Sequence, residues 1–299
     1  MRERDAWLAL LNGWGMPDGW TGRDFFARWI ALDPTWRDDN VWVAEDAGRL
    51  VSAVQIFPRE LRVLGHAVPT GGIGSVYTRE EHRRSGIAGS ILDAVVVSMR
   101  ERGMELSLLF GTRFDFYAKH GWESWQHPCA WLSRSGRAQS GAATAGDIGI
   151  GRFDWERDLG EMKALSAAYS SARSGTLIRD AALWEASFDL AGNPIEDVAV
   201  AHRGGELVAY LRLTRMSDKL VATEFAHRGD AEPLAALIED GLRGREPDLL
   251  VAAEQSSETL RESMLLPALD DLALIGCLER RGIAAQRVDN PESMLQCLD

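Results

Sequence analysis

The sequence predicts an α/β (α+β) protein that is built from two related domains, and three observations support this fold class. Each half of the chain contains a similar hairpin pattern, a strand–loop–helix–strand order follows the first hairpin, and a stretch rich in Ser, Gly and Ala separates the halves. With 299 residues, the chain is long enough for two domains with substantial cores. Its content of 45% apolar and 26% charged residues is typical of a globular protein.

The two hairpin patterns are "VWVAEDAGRLVSAVQIF", which begins at Val41, and "VAVAHRGGELVAYLRLT", which begins at Val198. Each predicts a strand, a turn that contains glycine, and a second strand. They align without gaps, and the identical pairs are Val41/Val198, Val43/Val200, Ala44/Ala201, Gly48/Gly205, Leu50/Leu207 and Val51/Val208. We interpret this match as an internal duplication, and generic hairpin chemistry is the alternative.

The stretch that separates the halves, "SRSGRAQSGAATAGDIG" from Ser133 to Gly149, has no apolar periodicity and is typical of a linker or a long loop. We therefore predict a first domain at residues 1–135, a linker at 136–148 and a second domain at 149–299.

After the first hairpin, "GGIGSVYT" predicts a strand and "IAGSILDAVVVSMRERG" predicts a helix, which ends at a glycine cap. The helix has an apolar stripe at Ile87, Ile91, Val95 and Met99. The short apolar run "ELSLLFG" that follows is typical of a buried strand. Because a crossover of this kind makes its two strands parallel, we expect a ligand site beyond their C-terminal ends.

The loop between the first of these strands and the helix lies within "HRRSGIAGSIL", His82 to Leu92. Free N–H groups at a helix start, the helix dipole and small residues together favour the binding of a phosphate. In the alternative reading, Gly86 and Gly89 only turn the chain and the arginines are solvated. The sequence contains no GxxxxGK[ST], no GxGxxG after a strand, no GxSxG and no HExxH.

Composition also bears on the partners. A formal charge of −12 argues against bulk binding of nucleic acid and mildly favours a cationic small molecule. The widely spaced Cys129, Cys277 and Cys297 indicate neither a disulfide framework nor a zinc site, and we expect no metal. Since we find no apolar run of about 18 residues and no signal peptide, we expect no membrane association and a cytoplasmic location.

Three motifs in this region resemble those of the GCN5-related N-acetyltransferases (GNAT). The segment "RRSGIA" fits their [QR]xxGx[GA] signature, "SVYT" stands where their acetyl-CoA-binding strand stands, and "FYAKHGW" resembles their YxxxG[FW] segment. The longer run from Gly71 to Trp125 resembles the enhanced intracellular survival (Eis) acetyltransferases, which carry tandem GNAT domains.

The resemblance implies two GNAT-like domains, each with a mixed, mostly antiparallel sheet in which two parallel strands splay apart to admit acetyl-CoA. In the first domain it implies that the backbone of Val76, Tyr77 and Thr78 pairs with pantetheine and polarises the thioester, and that Thr112 and Arg113 flank the co-substrate. The residues that it implies for the pyrophosphate are Arg83, Arg84, Ser85, Gly86, Ile87, Ala88 and Gly89. Backbone donors near a carbonyl also suit the oxyanion of acyl transfer.

Tyr117 is the catalytic residue that the resemblance implies, as the acid that protonates the departing thiolate. Without the resemblance, the cluster "FDFY" favours a packing role for this tyrosine. The general base stays open among Glu60, Asp115, His120, Glu123 and a water relay.

In the Eis proteins a sterol-carrier-like third domain supplies a C-terminal carboxylate as the base. This sequence shows no such domain before Asp299, so the resemblance supplies neither that base nor the aminoglycoside acceptor. In the second half, Asp230 and Glu232 replace the arginines and glycines of the loop, which predicts a degenerate domain without acetyl-CoA. We expect that domain to pack on the first, to wall the acceptor pocket or to mediate association, and a homo-oligomer stays open.

The predicted function is therefore an acetyl-CoA-dependent N-acetyltransferase that acts on a primary amine of a small molecule. The alternative is a non-catalytic acyl-CoA sensor or scaffold. The tryptophans of the first half, among them Trp7, Trp14, Trp29 and Trp42, are explained by burial, although some of them could line an acceptor pocket.

Overall fold

The computed structural model describes residues 2–16, 20–125, 127–134, 147–190, 196–216, 219–242, 263–267, 272–290 and 293–297. The described helices are α1 (Arg2–Leu11), α2 (Gly22–Leu32), α3 (Ile87–Glu101), α4 (Phe114–Ala118), α5 (Trp155–Ser170), α6 (Ala181–Leu190), α7 (Glu232–Leu242) and α8 (Leu272–Arg280). The described strands are β1 (Val41–Asp46), β2 (Arg49–Val63), β3 (His66–Thr78), β4 (Leu106–Phe110), β5 (Glu123–Ser124), β6 (His127–Arg134), β7 (Ile148–Arg152), β8 (Thr176–Ile178), β9 (Glu196–Arg203), β10 (Glu206–Met216), β11 (Lys219–His227), β12 (Ser263–Pro267), β13 (Ile283–Asn290) and β14 (Ser293–Cys297).

The chain divides into two compact units, and neither is continuous in sequence. The first unit comprises Met1–Gln126, Arg173–Leu190 and Pro291–Asp299, and the second comprises His127–Ala172 and Ala191–Asn290. This division differs from the consecutive domains that we expected, because the chain returns to the first unit twice. Nearly all of the predicted linker lies outside the described residues.

The sheet of the first unit has the strand order β1-β2-β3-β4-β14-β5, and β8 pairs with β2 beside this path. The long hairpin of β2 and β3 is antiparallel, as is the β1–β2 hairpin that the sequence predicted. Strands β3 and β4 pair in parallel across helix α3, which confirms the predicted crossover. The fold class, an α/β protein whose sheets are flanked by helices, is therefore confirmed.

Strand β14 lies between β4 and β5, and it comes from the end of the chain. It is antiparallel to β4, with Ser293 opposite Phe110 and Cys297 opposite Leu106. Sequence reasoning did not predict this strand or its place in the sheet.

The second sheet has the order β13-β6-β12-β11-β10-β9-β7. The predicted hairpin of β9 and β10 is confirmed. Strand β11 follows, and it pairs in parallel with β12, with Val221 opposite Leu265. Both units thus contain a hairpin, a third strand and a parallel partner in the same order.

Helix α3 has the predicted apolar stripe and the predicted end. Ile91, Val95 and Met99 are buried against the sheet. At the C-terminus, Gly103 adopts φ +71° and donates to the carbonyl of Arg100, while Met104 donates to Met99. This pair of bonds is a Schellman motif, which satisfies carbonyls that the helix leaves unpaired.

Helices α1 and α2 cover the other face of the sheet with an aromatic core. Trp7 is 2% exposed, and its ring contacts Phe26 and Trp36 at centroid distances of 6.0 and 5.3 Å. Trp14 and Trp29 pack against the same cluster, so burial accounts for these tryptophans. Among the described residues, no helix is long and apolar enough to cross a membrane.

Candidate active site

The candidate site begins where the two parallel strands of the first unit part. Pairing between β3 and β4 covers Thr70 to Ile73 on one strand and Leu106 to Leu109 on the other. Strand β3 then continues for five residues, from Gly74 to Thr78, with no described partner on that side. The backbone groups along this edge are therefore open to a ligand.

A bulge in β3 lies within this unpaired part. Ala53 is opposite Tyr77 and Gln55 is opposite Gly74, so two residues of β3 face the single residue Val54. Ser75 lies in the bulge with φ +53°, and its hydroxyl donates to Oε1 of the buried Gln55 at 3.0 Å. Sequence reasoning missed this pair, although a glutamine within an apolar strand was a possible signal.

The three predicted strand residues lie on this open edge, but their side chains contact other parts of the protein. The ring of Tyr77 packs on Trp14 at 5.9 Å, and the carbonyl of Tyr77 accepts from the hydroxyl of Ser52 at 3.0 Å. Thr78 contacts the same hydroxyl, and Val76 packs against the α3 side. Any role of these residues in binding a ligand therefore belongs to their backbone.

The loop that follows β3 forms an uncapped helix start. A short 3₁₀ turn, Glu80–His82, leads to Arg84 at φ +64° and then to Gly86 at φ +83°. Gly86 is the N-cap of α3, and no side chain caps the first turn. Free N–H groups, the helix dipole and left-handed residues in such a turn make an anion-binding concavity.

The side chains of the loop leave this concavity accessible. Arg83 and Arg84 are exposed, and Nε of Arg83 donates to the carbonyl of Thr78 at 3.1 Å. The hydroxyl of Ser85 donates to the carbonyl of His82 and so fixes the turn. A Cβ atom placed on Gly86 would meet nothing within 4 Å, so the space beside this residue is open.

Gly89 is required for a different reason, because it lies against the imidazole of His120. A Cβ atom at Gly89 would be 2.8 Å from Cε1 and Nε2 of that ring. Nδ1 of His120 is 2.7 Å from a carboxylate oxygen of Asp93. His120 thus joins the segment after α4 to the first turns of α3, a contact that the sequence did not reveal.

Tyr117 lies at the end of β4 that faces the parting strands. Its ring lies beside Gly111, where a Cβ atom would be 3.2 Å from Cε2, and it makes edge contacts with Phe116 and Trp122. Burial raises the pKa of the Tyr117 phenol, and the positive charge of Arg113 opposes this effect. No described residue forms a hydrogen bond with the hydroxyl. A buried phenol of this kind stays protonated at neutral pH.

The other predicted residues surround this point. Thr112 and Arg113 are exposed in the turn between β4 and α4. Of the candidate bases, Glu60, Asp115 and Glu123 are exposed, whereas His120 is engaged by Asp93. None of the four is distinguished as a base by its contacts.

The corresponding helix of the second unit begins differently. Asp230 caps α7 by accepting from the N–H of Glu232 at 3.0 Å, and it also pairs with Arg203. Burial raises the pKa of the Asp230 carboxyl, but this hydrogen bond and ion pair outweigh burial and lower the pKa overall. Glu232 pairs with Arg280 and Arg281. Two carboxylates therefore occupy the start of this helix.

Comparison with known families supports the sequence motifs. Residues 3–125 match the family described as acetyltransferase (GNAT) domain. An uncharacterized N-acetyltransferase of Streptomyces avermitilis is 27% identical over 146 residues, which are 48% of this chain and 35% of that protein. Another from Streptomyces griseus is 31% identical over 91 residues, 30% of this chain and 21% of that protein. The chain thus matches only about a third or less of each curated relative.

Solved structures with the same fold match nearly the whole chain. A probable N-acyltransferase from Enterococcus faecalis has a TM-score of 0.70 at 15% identity over 99% of this chain and 70% of its own. Eis1 from Mycobacterium abscessus has a TM-score of 0.62 at 16% identity, over 100% of this chain and 71% of its own. The yeast N-myristoyltransferase with bound myristoyl-CoA has a TM-score of 0.59 at 13% identity, over 99% of this chain and 76% of its own.

These likenesses show the fold, and the family match identifies the region that contains the parting strands and the uncapped helix. Residues 3–125 of this chain are therefore similar to the acetyltransferase (GNAT) domain.

Proposed function

We propose that the protein is an acetyl-CoA-dependent N-acetyltransferase that transfers the acetyl group directly to a primary amine. The proposal rests on two features that follow each other along one segment, an unpaired strand edge and an uncapped helix start. The unpaired edge of β3 from Gly74 to Thr78 leads within eight residues to the uncapped helix start at Gly86. A ligand with an amide-containing arm and a phosphate group matches this order.

The residues present fit such a co-substrate. The backbone of Val76, Tyr77 and Thr78 supplies groups for the pantetheine amides, beyond the bonds that Ser52 and Arg83 already make to the carbonyls of Tyr77 and Thr78. The first turn of α3 supplies donors for the pyrophosphate. Arg83 and Arg84 add positive charge beside that turn, while Thr112 and Arg113 flank the arm at the end of β4. The open space at Gly86 supports this assignment.

The chemistry requires three proton movements. A lysine-like ammonium, with a pKa of about 10.4, must lose a proton before its nitrogen can attack. A bond then forms from nitrogen to the acyl carbon, the nitrogen loses a second proton to the base or to water, and the carbon–sulfur bond breaks. We assign Tyr117 to protonate the departing thiolate, because its ring lies beside Gly111 just beyond the end of β4 and its phenol is protonated at neutral pH.

The proposed acceptor is a cationic small-molecule amine. The formal charge of −12 favours the approach of such a molecule through long-range attraction. We further propose an Eis-like tandem arrangement, in which the second unit is a degenerate GNAT domain. The repeated order of hairpin, third strand and parallel partner supports that proposal.

The decisive experiment is a screen of primary amines in which release of the CoA thiol is measured, followed by Tyr117→Phe with the best acceptor. The substitution keeps the ring and removes the acid. We expect kcat to fall by about 10² to 10⁴ with little change in KM or in acetyl-CoA affinity.

In the wild-type protein, the loss of rate at high pH should occur above pH 10, since burial raises the pKa of this phenol.

Tyr169→Phe is the matched control, because this tyrosine packs on Phe225 in the second unit. It should leave kcat unchanged. A change in KM alone, or a loss of stability, would make Tyr117 a binding or packing residue. Near-wild-type turnover would withdraw the acid assignment. Acetyl-CoA binding without thiol release for any amine would favour the sensor or scaffold instead.

A further inference from the structure

The position of the acyl group follows from the proposed function, on which this inference rests. Ile73 is the last residue of β3 that pairs with β4, and Gly74 is the first residue of the open edge. If the arm of an acyl-CoA enters between the parting strands, its thioester lies beside this point. The two faces of the sheet at Gly74 then determine how much acyl chain can be accommodated.

The face toward α3 is filled. Ile73, Val95 and Met99 belong to the core of the first unit, and Val95 and Met99 have no exposed surface. A Cβ atom on Gly71 would clash with the sulfur of Met99. Because protein cores are close-packed, an acyl chain cannot extend in this direction without displacing buried side chains.

The opposite face is closed by the ring of Phe57. Phe57 lies across from Gly72 in the β2–β3 ladder, and its ring extends along β3 to the next residue on that face, Gly74. A Cβ atom on Gly74 would be 2.7 Å from Cε2 of the ring, and one on Gly72 would be 3.4 Å from Cβ of Phe57. Only glycine at position 74 leaves room for the ring in this position.

Neighbouring groups hold the ring in place. Trp29 of α2 packs against it edge to face at 5.1 Å, and the guanidinium of Arg59 lies 5.8 Å from its centre. Arg59 is fixed in turn by an ion pair of 2.7 Å with Asp33, whose side chain is 1% exposed. Phe57 itself is half-buried. Its ring is thus a supported wall beside the parting strands.

We infer that Phe57 restricts the acyl donor to short chains, so that acetyl-CoA is accepted and long-chain acyl-CoA is excluded. The fold does not impose this limit, since the yeast structure of the same fold holds myristoyl-CoA. The restriction comes from one aromatic side chain packed on a glycine. Removal of the ring opens the space above Gly74, and that space can take additional methylene groups.

The test is calorimetric binding of acetyl-CoA, butyryl-CoA and octanoyl-CoA to the wild-type chain, to Phe57→Ala and to Phe57→Leu. We expect the wild type to bind octanoyl-CoA at least about tenfold more weakly than acetyl-CoA. Each methylene that enters the opened space should strengthen binding by up to about fourfold. Phe57→Ala should therefore bind octanoyl-CoA as tightly as acetyl-CoA or more tightly, with Phe57→Leu intermediate. Phe57→Leu carries the test if the alanine variant does not fold.

Phe25→Ala is the control, because it removes a ring of the same size that packs on Phe26 in α2. It should leave the preference for acetyl-CoA unchanged. Equal preference in the wild type and both Phe57 variants overturns the inference. So does a change that appears only as an altered KM for the amine in the thiol-release assay, because it would assign Phe57 to the acceptor site. If the wild type binds none of the three acyl-CoA molecules, the proposed function fails instead.

Discussion

Gly86 is the single residue on which the proposed phosphate site depends most. Its φ of +83° places the start of α3 so that the first turn has no side-chain cap. A residue with a Cβ atom is strained in this conformation, and a β-branched residue is strained most. The neighbouring Arg84 also has a positive φ, so the loop combines two left-handed positions within three residues.

Gly86→Val should abolish the rise in unfolding temperature that acetyl-CoA gives by binding the native state. The matched control is Gly103→Val, because Gly103 has φ +71° at the other end of the same helix and a Cβ atom there also meets nothing within 4 Å. Both variants should lose about 1 to 2 kcal/mol of stability. Only Gly86→Val should lose the thermal shift, and an unchanged shift would remove the loop from the site.

Among the elements, β14 has the largest consequence for the candidate site. It continues the sheet beside β4, the strand that leads into α4 and Tyr117, and it pairs with β5 on its other side. We expect the parting of β3 and β4 to depend on β4 being held on its far edge. A short segment near the end of the chain therefore supports the geometry of a site built from residues 71–125.

Leu295→Pro tests this dependence, because Leu295 is opposite both Leu108 and Glu123. Proline removes a backbone donor from a strand with neighbours on both sides, and each buried group left unpaired costs about 1 to 3 kcal/mol. We expect a lower midpoint in chemical denaturation and weaker acetyl-CoA binding. Ser293→Pro, at the first residue of the strand, should be tolerated better. Equal effects of the two substitutions would contradict the central role of β14.

At the scale of the whole molecule, the two units share an order of elements but differ at the corresponding positions. Helix α3 begins at an open glycine, whereas α7 begins at two carboxylates that use its donors and repel phosphate. At the offset that aligns the hairpins, Gln55 corresponds to Arg212. The buried Arg212 forms an ion pair with Glu224 at 3.2 Å, and the hydroxyl of Tyr210 donates to the same carboxylate.

We therefore predict that each chain binds one acetyl-CoA, in the first unit. Titration calorimetry should give a stoichiometry near one, and Gly86→Val should reduce the measurable binding to none. A stoichiometry near two for the wild type, or residual binding of the same affinity in Gly86→Val, would contradict a silent second unit.

The sequence by itself determined the local parts of this structure. Both hairpins, the stripe and the C-terminal cap of α3, and the parallel crossover depend on periodicity and turn chemistry within continuous segments, and all were predicted. The loop with Gly86 was predicted for the same reason. The roles of Tyr117 and of the loop residues in catalysis and binding remain predictions for the experiments above.

Only the tertiary structure decided which distant segments meet. Alternation of apolar residues can indicate that a strand forms. The hydrogen bonds between strands join backbone groups, so the sequence of a strand says little about which other strand pairs with it. For that reason the places of β6 and β14 in the two sheets, and the division of the chain that follows from them, were not predicted. The contacts of Phe57 with Gly74 and of His120 with Gly89 likewise arise from the packing of separate elements. No local sequence pattern predicts such contacts.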